Sequence, residues 1–173
     1  RLAQAHSVRV VTSGPEAPVL AGGAQRLDDP AAGGLYLSGL LEPGPRNFPI
    51  ATQLAFLGME PILQRLAQDA RLSSQQARQL ARIGLANYFA GALLMPYKAF
   101  LQAAEAERYD IERLGLLFGV GFEAVCHRLS MLQRPQARGV PFIFIRVDRA
   151  GNISKRQSAT HFHFSRVGGT CPL

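Results

Sequence analysis

The sequence predicts an α+β fold, in which a small antiparallel sheet precedes a core of about five helices and a basic β-meander closes the chain. Three observations carry this reading. The first forty residues hold short, β-branched, alternating stretches separated by Gly- and Pro-rich turns. Apolar residues then recur at helical spacing as far as the segment before Pro135. From Gly139 onward the period falls back to two, the spacing of strands.

The elements follow in order. SVRVVT (7–12) alternates and is β-branched, which favours a strand. GPEAP and LAGGA read as turns, and AQRLDDPAAGGLYLSG places two more strands near 24–27 and 35–38 around DDPAAGG. LLEPGPRNFP leads into a helix over NFPIATQLAFLG (47–58), with Pro49 suited to a first helical turn and Pro61 placed to kink or end the helix. Residues 73–94 form a long helix that Ser73 or Ser74 can cap and Pro96 stops. A third helix covers 97–106, and a fourth starts at Asp110 and runs through IERLGLLFG. After a turn at Gly119 to Gly121, FEAVCHRLSMLQR is the fifth, ended before Pro135. FGVGFEAVCHRLSML has a helix-turn-helix rhythm. Its second helix is apolar at Phe122, Val125, Leu129 and Leu132, so core packing explains it more simply than DNA reading. VPFIFIRVD, a DRAGN turn, ISKRQSA and the alternating HFHFSRV make the meander. The change of period divides the chain into residues 1–135, helical with the N-terminal sheet, and residues 136–173, the start of a second unit.

The chain of 173 residues is 47% hydrophobic and 18% charged, with a mean hydropathy of +0.04, the composition of an ordinary globular domain. No apolar run approaches the ~18 residues of a membrane span. The chain begins with Arg1, which suggests a piece of a longer polypeptide. Two cysteines, Cys126 and Cys171, are too few for a disulfide framework and point to a reducing, cytoplasmic setting. Acids and bases balance up to residue 127. Beyond it, Arg128, Arg134, Arg138, Arg146, Arg149, Lys155, Arg156 and Arg166 face one acid, Asp148, so the formal net charge of +7 resides in residues 128–173. An arginine-rich end of this kind suits phosphate or carboxylate recognition, or is simply a solvated basic surface.

NFPIATQLAFLG keeps the frame of a zinc-peptidase helix without its chemistry. Such a helix needs H-E-x-x-H, two histidines at i and i+4 on one face with a glutamate beside the first. Here Thr52, Gln53 and Phe56 hold those places. The stretch resembles the metal helix of the ImmA/IrrE-type metallopeptidase domains, and GLANYFAGALLMPY resembles their second helix. The third metal ligand of those domains is a glutamate just before A-N-x-F-A-x-x-L-L-M-P, where this chain has Ile83 and Leu85 as the candidate replacements. With no side chain able to bind zinc or activate water at these positions, the chain is read as a non-enzyme.

RYDIERLGLLFGVGFEAVCHRLSMLQRP and DRAGNISKRQSA extend the resemblance to the short-chain fatty acyl transcriptional regulators, over most of the chain from about Leu2 to Leu173. That family joins an N-terminal helix-turn-helix to a degenerate ImmA/IrrE-like region and a cysteine-bearing C-terminal region. The resemblance implies the ligand-sensing region of a transcriptional regulator, a homodimer that binds acyl-CoA, such as propionyl-CoA, and controls propionate and methylcitrate-cycle genes. It implies that DNA is contacted through a helix-turn-helix not found in these residues. It also implies an iron–sulfur cluster in the full-length protein, with Cys171 as one ligand; a single cysteine cannot hold one, and a free thiol is the simpler reading here.

The residues supply candidates for such a ligand. A cleft that has lost His, Glu and His is lined by Thr52, Gln53 and Phe56, with Ile83, Asn87 and Gly91 on one face of the neighbouring helix. It can serve as an acyl pocket, or it can have filled in as core. Gly91 lets a ligand or another backbone come close. Tyr88 and Tyr97 each offer an apolar face and a hydroxyl for a thioester carbonyl or adenine, or they pack as helix-end tyrosines do. Arg46, Lys155 and Arg156 are the basic candidates for the CoA phosphates, with Ser154 and Ser158 beside them. Lys155 and Arg156 alternate in a strand and point to opposite faces. His127 and Arg128 precede the apolar stripe of the fifth helix, and His127 is read as a surface or capping histidine. His161 and His163 share a strand face but lack a third metal ligand nearby. A metal-dependent peptidase, a nucleic-acid binder acting through residues 128–173, and a ligand-free dimerisation module are the alternatives.

Overall fold

The computed structural model describes residues 4, 6–13, 26–29, 31, 33–40, 43–69 and 72–158. In chain order these form β1 (Arg9–Ser13), β2 (Arg26–Asp29), β3 (Gly34–Ser38), α1 (Pro43–Gly58), α2 (Glu60–Asp69), α3 (Gln75–Leu94), α4 (Tyr97–Ala106), α5 (Ile111–Phe118), α6 (Phe122–Ser130), β4 (Gln133–Arg134), β5 (Ala137–Arg138), β6 (Ile143–Val147) and β7 (Ile153–Ser158). The α+β class expected from the sequence is the one observed. The chain forms two compact units, one of Arg1–Leu94 with Phe118–Val120, the other of Met95–Leu117 with Gly121–Leu173.

In the first unit the sheet has the order β1-β3-β2. The short connection from Asp29 to Gly34 makes β2–β3 the antiparallel hairpin the sequence suggested. The Asp29 Oδ1 accepts the Ala31 N–H at 3.1 Å, and Gly33 turns the chain at φ +58°, where a side chain would be strained. β1 adds to the other edge of β3 and runs parallel to it. No tight turn joins β1 to β3, because β2 intervenes in the chain, so their pairing was free to be parallel. β3 is the buried strand, and its Leu35 and Leu37, with Val8, pack on Ile50 and Leu54 of α1.

α1 begins at Pro43, earlier than expected, because Pro43 and Pro45 have backbone angles already suited to a first turn. Pro49 therefore lies inside the helix rather than in its first turn, and having no N–H it cannot bond back to the Pro45 carbonyl. The helix stops at Gly58, and Pro61 occupies the first turn of α2, which explains its tolerance there. α3 lies against α1 and α2, with Ala55, Leu63 and Ala86 buried and Phe56, Met59, Leu85 and Phe89 packed around them. Ala51, Ala55, Ala86 and Ala90 are all buried, and side chains this small let α1 and α3 approach closely. Ser74 caps α3, its Oγ accepting the Ala77 N–H at 3.1 Å.

The second unit is built on Phe100, Ala104, Leu114, Val125, Leu129 and Leu132, all buried. Asp110 caps α5 by accepting the Arg113 N–H at 3.0 Å. Phe122, expected on the buried stripe of α6, is 61% exposed, because it is the first residue of the helix and the stripe begins one turn later at Val125. α6 also ends at Ser130 rather than running to Arg134. Pro135 pushes the residue before it out of helical geometry. The Arg134 N–H is instead donated to the Tyr97 hydroxyl at 2.9 Å, and residues 133–138 fold into the tiny β4–β5 hairpin. β6 and β7 form an antiparallel hairpin whose turn is organised by Asp148. Its carboxylate accepts the Asn152 amide at 2.9 Å and the N–H groups of Asn152 and Ala150 at 2.8 and 2.9 Å. Those bonds hold the Asp148 carboxyl below its ordinary range. The third stretch of the expected meander, HFHFSRV, lies outside the described residues.

Candidate functional site

The middle of α1 is packed between the sheet and α3, and two of its three peptidase-frame positions are polar and buried. Thr52 and Gln53 are each 3% exposed. A buried hydroxyl or amide must find a partner or forfeit its solvation, and each has one. The Thr52 Oγ1 lies 2.9 Å from the Phe48 carbonyl oxygen of its own helix and 3.3 Å from the Asn87 Oδ1 of α3. Gln53 turns the other way, its Nε2 donating to the Asp28 Oδ2 of β2 at 2.7 Å. The third position, Phe56, joins the α1–α3 core, with the Arg82 guanidinium 5.4 Å from its ring centre. The frame of a metal helix thus carries a hydroxyl, an amide and a ring, and all three are engaged with neighbouring elements. Among the described residues, no three His, Cys, Asp or Glu side chains are grouped to hold a metal.

The flanking candidates divide by unit. On α3, Asn87 meets Thr52, and a side chain added at Gly91 would approach Phe48 no closer than 4.0 Å. Ile83 and Tyr88 are exposed, while Leu85 packs into the core around Ala55. Arg46, in the first turns of α1, donates to the Gly39 carbonyl at 3.2 Å. These residues belong to the first unit.

Tyr97, Lys155 and Arg156 belong to the second unit. The Tyr97 hydroxyl donates to the Ala137 carbonyl at 2.7 Å and accepts the Arg134 N–H, while the Arg134 guanidinium stacks over the ring at 4.2 Å. Tyr97 therefore fastens the β4–β5 hairpin to α4. Arg128, one of the basic residues beyond position 127, is 4% exposed; its Nε donates to the Met95 carbonyl at 2.8 Å. The Lys155 Nζ donates to the Glu123 Oε1 at 3.1 Å. Arg156 is half-buried on the alternate register of β7. Ser154 Oγ accepts from the Arg146 Nε at 2.8 Å, and Ser158 ends β7.

Glu123 is the centre of a charged cluster that the sequence reading did not pick out. Its carboxylate accepts from Lys155 and from the Arg146 Nη1 at 3.2 and 3.3 Å, which ties the β6–β7 hairpin to α6. Burial works to raise the Glu123 carboxyl, but Lys155 and Arg146 outweigh it and hold the group below its ordinary value. His127, one turn on, stands edge-on to the Phe144 ring with centroids 4.7 Å apart. Its buried Nε2 is 3.7 Å from the Glu123 Oε1, too far for a hydrogen bond. Burial, then the charge of Lys155, lowers the imidazole despite opposing help from Gln157 and Glu123. Beside them, burial pushes the Cys126 thiol up, so it is a neutral, poorly nucleophilic group. The i, i+4 spacing of Glu123 and His127 was visible in the sequence; the hairpin's choice of Glu123 was not.

Cys171, His161 and His163 lie outside the described residues. An iron–sulfur cluster takes about four thiolates, and the two cysteines of these residues do not supply that set. Asp28, the other group missed, reads in the sequence as part of a DDP turn and gives no local sign of its bond to Gln53.

The family model for the IrrE N-terminal-like domain matches residues 3–130. The model described as the short-chain fatty acyl coenzyme A regulator, C-terminal, matches residues 131–173. The chain is 62% identical over 151 residues to the HTH-type transcriptional regulator PrpR of Mycobacterium tuberculosis, covering 87% of this chain and 31% of that protein. It is 53% identical over 139 residues to the propionyl-CoA carboxylase regulator of Cereibacter sphaeroides, covering 80% of this chain and 30% of that protein. A solved Mycobacterium tuberculosis transcriptional regulator matches with a TM-score of 0.87 and 54% identity, over 99% of this chain and 51% of that one. The chain thus spans about a third of the curated relatives and half of the solved one. Among the described residues, no helix is long and apolar enough to cross a membrane.

Proposed function

Because the chain belongs to the IrrE N-terminal-like family and continues into the short-chain fatty acyl coenzyme A regulators, we propose that it is the ligand-sensing region of a transcriptional regulator and that its ligand is a short-chain acyl-CoA such as propionyl-CoA. The observation that carries this reading is the state of α1. Its frame is that of a hydrolytic helix, yet Thr52, Gln53 and Phe56 are committed to hydrogen bonds and packing. Such groups can recognise a carbonyl or an acyl chain, and they do not generate a metal-bound hydroxide. One relative is named as a propionyl-CoA carboxylase regulator, and the C-terminal family is described as a short-chain fatty acyl coenzyme A regulator.

In this reading the acyl chain is met by the apolar and amide groups around α1 and the phosphates by arginine, with Arg46 at the start of that helix as the first candidate. A ligand regulates only if it binds one conformation better than another, so occupancy would shift the region between two states and reposition DNA-binding domains in a homodimer. Calorimetric titration with CoA, acetyl-CoA and propionyl-CoA tests it. Saturable heat with propionyl-CoA, stronger than with CoA, is expected. Equal heats for all three would remove acyl selectivity, and no heat from any would overturn the proposal.

A further inference from the structure

We infer that Asp28 and Gln53 form a latch that holds the edge strand β2 against α1, and that release of this latch is the motion that admits the ligand. The second half rests on the ligand-sensing reading; the first does not.

The inference begins with the difference between two neighbouring strands. β3 buries four of its five residues, whereas β2 has none in the buried class and sits at the edge of the sheet. An element with so little burial opens locally far more easily than the core beside it. Beyond its ladder to β3, β2 is tied to α1 by Asp28, and that tie is charge-assisted and short. The other end of the tie is unusual in its place. Gln53 stands in the buried middle of α1, where an apolar side chain would pack without any requirement for a partner.

Thr52, its neighbour, makes the contrast. The Thr52 hydroxyl can rest on the Phe48 carbonyl of its own helix, so losing Asn87 would not strand it. The Gln53 donor reaches across to another element, so β2 cannot leave until a different acceptor takes its place. A carbonyl oxygen, thioester or amide, on an acyl-pantetheine chain is such an acceptor. The α1–β2 seam is therefore the switchable side of α1, and the α1–α3 seam is the fixed side.

Amide hydrogen exchange of the β2–β3 ladder in the full chain tests the latch. Asp28→Ala, at an exposed position, and Gln53→Glu, which sets two carboxylates against each other, are expected to speed exchange there by about tenfold or more, the scale of a lost charge-assisted bond. The swapped pair Asp28→Asn with Gln53→Glu restores a donor and an acceptor and should slow exchange again relative to Gln53→Glu alone. Thr52→Val should leave β2 exchange unchanged. Unchanged exchange in Asp28→Ala and Gln53→Glu, or equal acceleration by Thr52→Val, overturns the latch. Titration with propionyl-CoA completes the test, since Asp28→Ala should bind at least threefold tighter than the unmodified chain. Faster exchange with unchanged affinity overturns the gating role. Faster exchange with no binding by any form keeps the latch and removes the ligand reading, whereas binding with flat exchange does the reverse.

Discussion

The middle of α1 and the cluster around Glu123 both join a helix to a β element through polar side chains, but by opposite means. At α1 Thr52 and Gln53 are buried and uncharged, and they meet Asn87 and Asp28 at more exposed positions. At α6 they are ionic, half exposed, and converge on a single carboxylate shared by Arg146 and Lys155. Part-buried bonds of the first kind depend on geometry and are less sensitive to salt, whereas exposed pairs of the second kind are screened and individually weak. The difference makes the attachment of the basic hairpin at α6 the condition-sensitive one, and it fits the proposal that specific recognition lies at α1.

The largest break should come from what neither region supplies, the apolar core. Leu35→Ala, at a fully buried position under α1, is expected to lower stability by about 2–5 kcal/mol in denaturant unfolding. Arg128→Ala should come next. It removes a buried guanidinium and its bond to the Met95 carbonyl, a loss of about 1.5–3 kcal/mol, and unlike the exposed pairs its effect should persist in high salt. Glu123→Gln should cost only about 0.2–1 kcal/mol at low salt, and the difference should shrink as salt is added. If Glu123→Gln proved as damaging and as salt-independent as Arg128→Ala, the contrast between buried and screened polar contacts would fail.

Acidity sharpens the same contrast. The folded His127 imidazole sits below its ordinary value of 6.5, so the unfolded or undocked state takes up the proton first. The stability this group contributes is present above about 6.5 and is lost as the pH falls through the lowered folded value. Glu123, also lowered, adds a second loss beginning below its ordinary 4.5. Hydrogen exchange at β6 and β7, corrected for intrinsic rates, should therefore accelerate in two steps on acidification, with the upper step absent in His127→Gln. The β1–β3 ladder should not show that upper step.

How much of this was legible in the sequence follows from the range of each interaction. Among the described residues, five of the six helices and the strands β1, β2, β3, β6 and β7 announce themselves through local periodicity, whereas α2 and the two-residue strands β4 and β5 do not, and caps such as Ser74 and Asp110 lie within three residues of the N–H they satisfy. The peptidase frame at Thr52, Gln53 and Phe56 was also legible, because it is a spacing within one helix. What those residues touch was not. Asp28 meets Gln53 across 25 positions and Lys155 meets Glu123 across 32, and nothing in a local window selects those partners. The same limit explains Tyr97 and Lys155. As residue types they suit a CoA ligand, and only the fold reveals that the Tyr97 hydroxyl holds a hairpin and that Lys155 is paired with an acid. The early start of α1 and the early end of α6 were hidden by prolines whose effect depends on where the helix has already begun.

The most direct measurement is a crystal structure of the chain grown with propionyl-CoA. Electron density for the acyl-pantetheine chain against α1, with a carbonyl oxygen accepting from the Gln53 amide and Asp28 displaced, is the expected result. A metal ion held beside Thr52 and Phe56, or a ligand bound elsewhere while the bond between Asp28 and Gln53 stays closed, would contradict it.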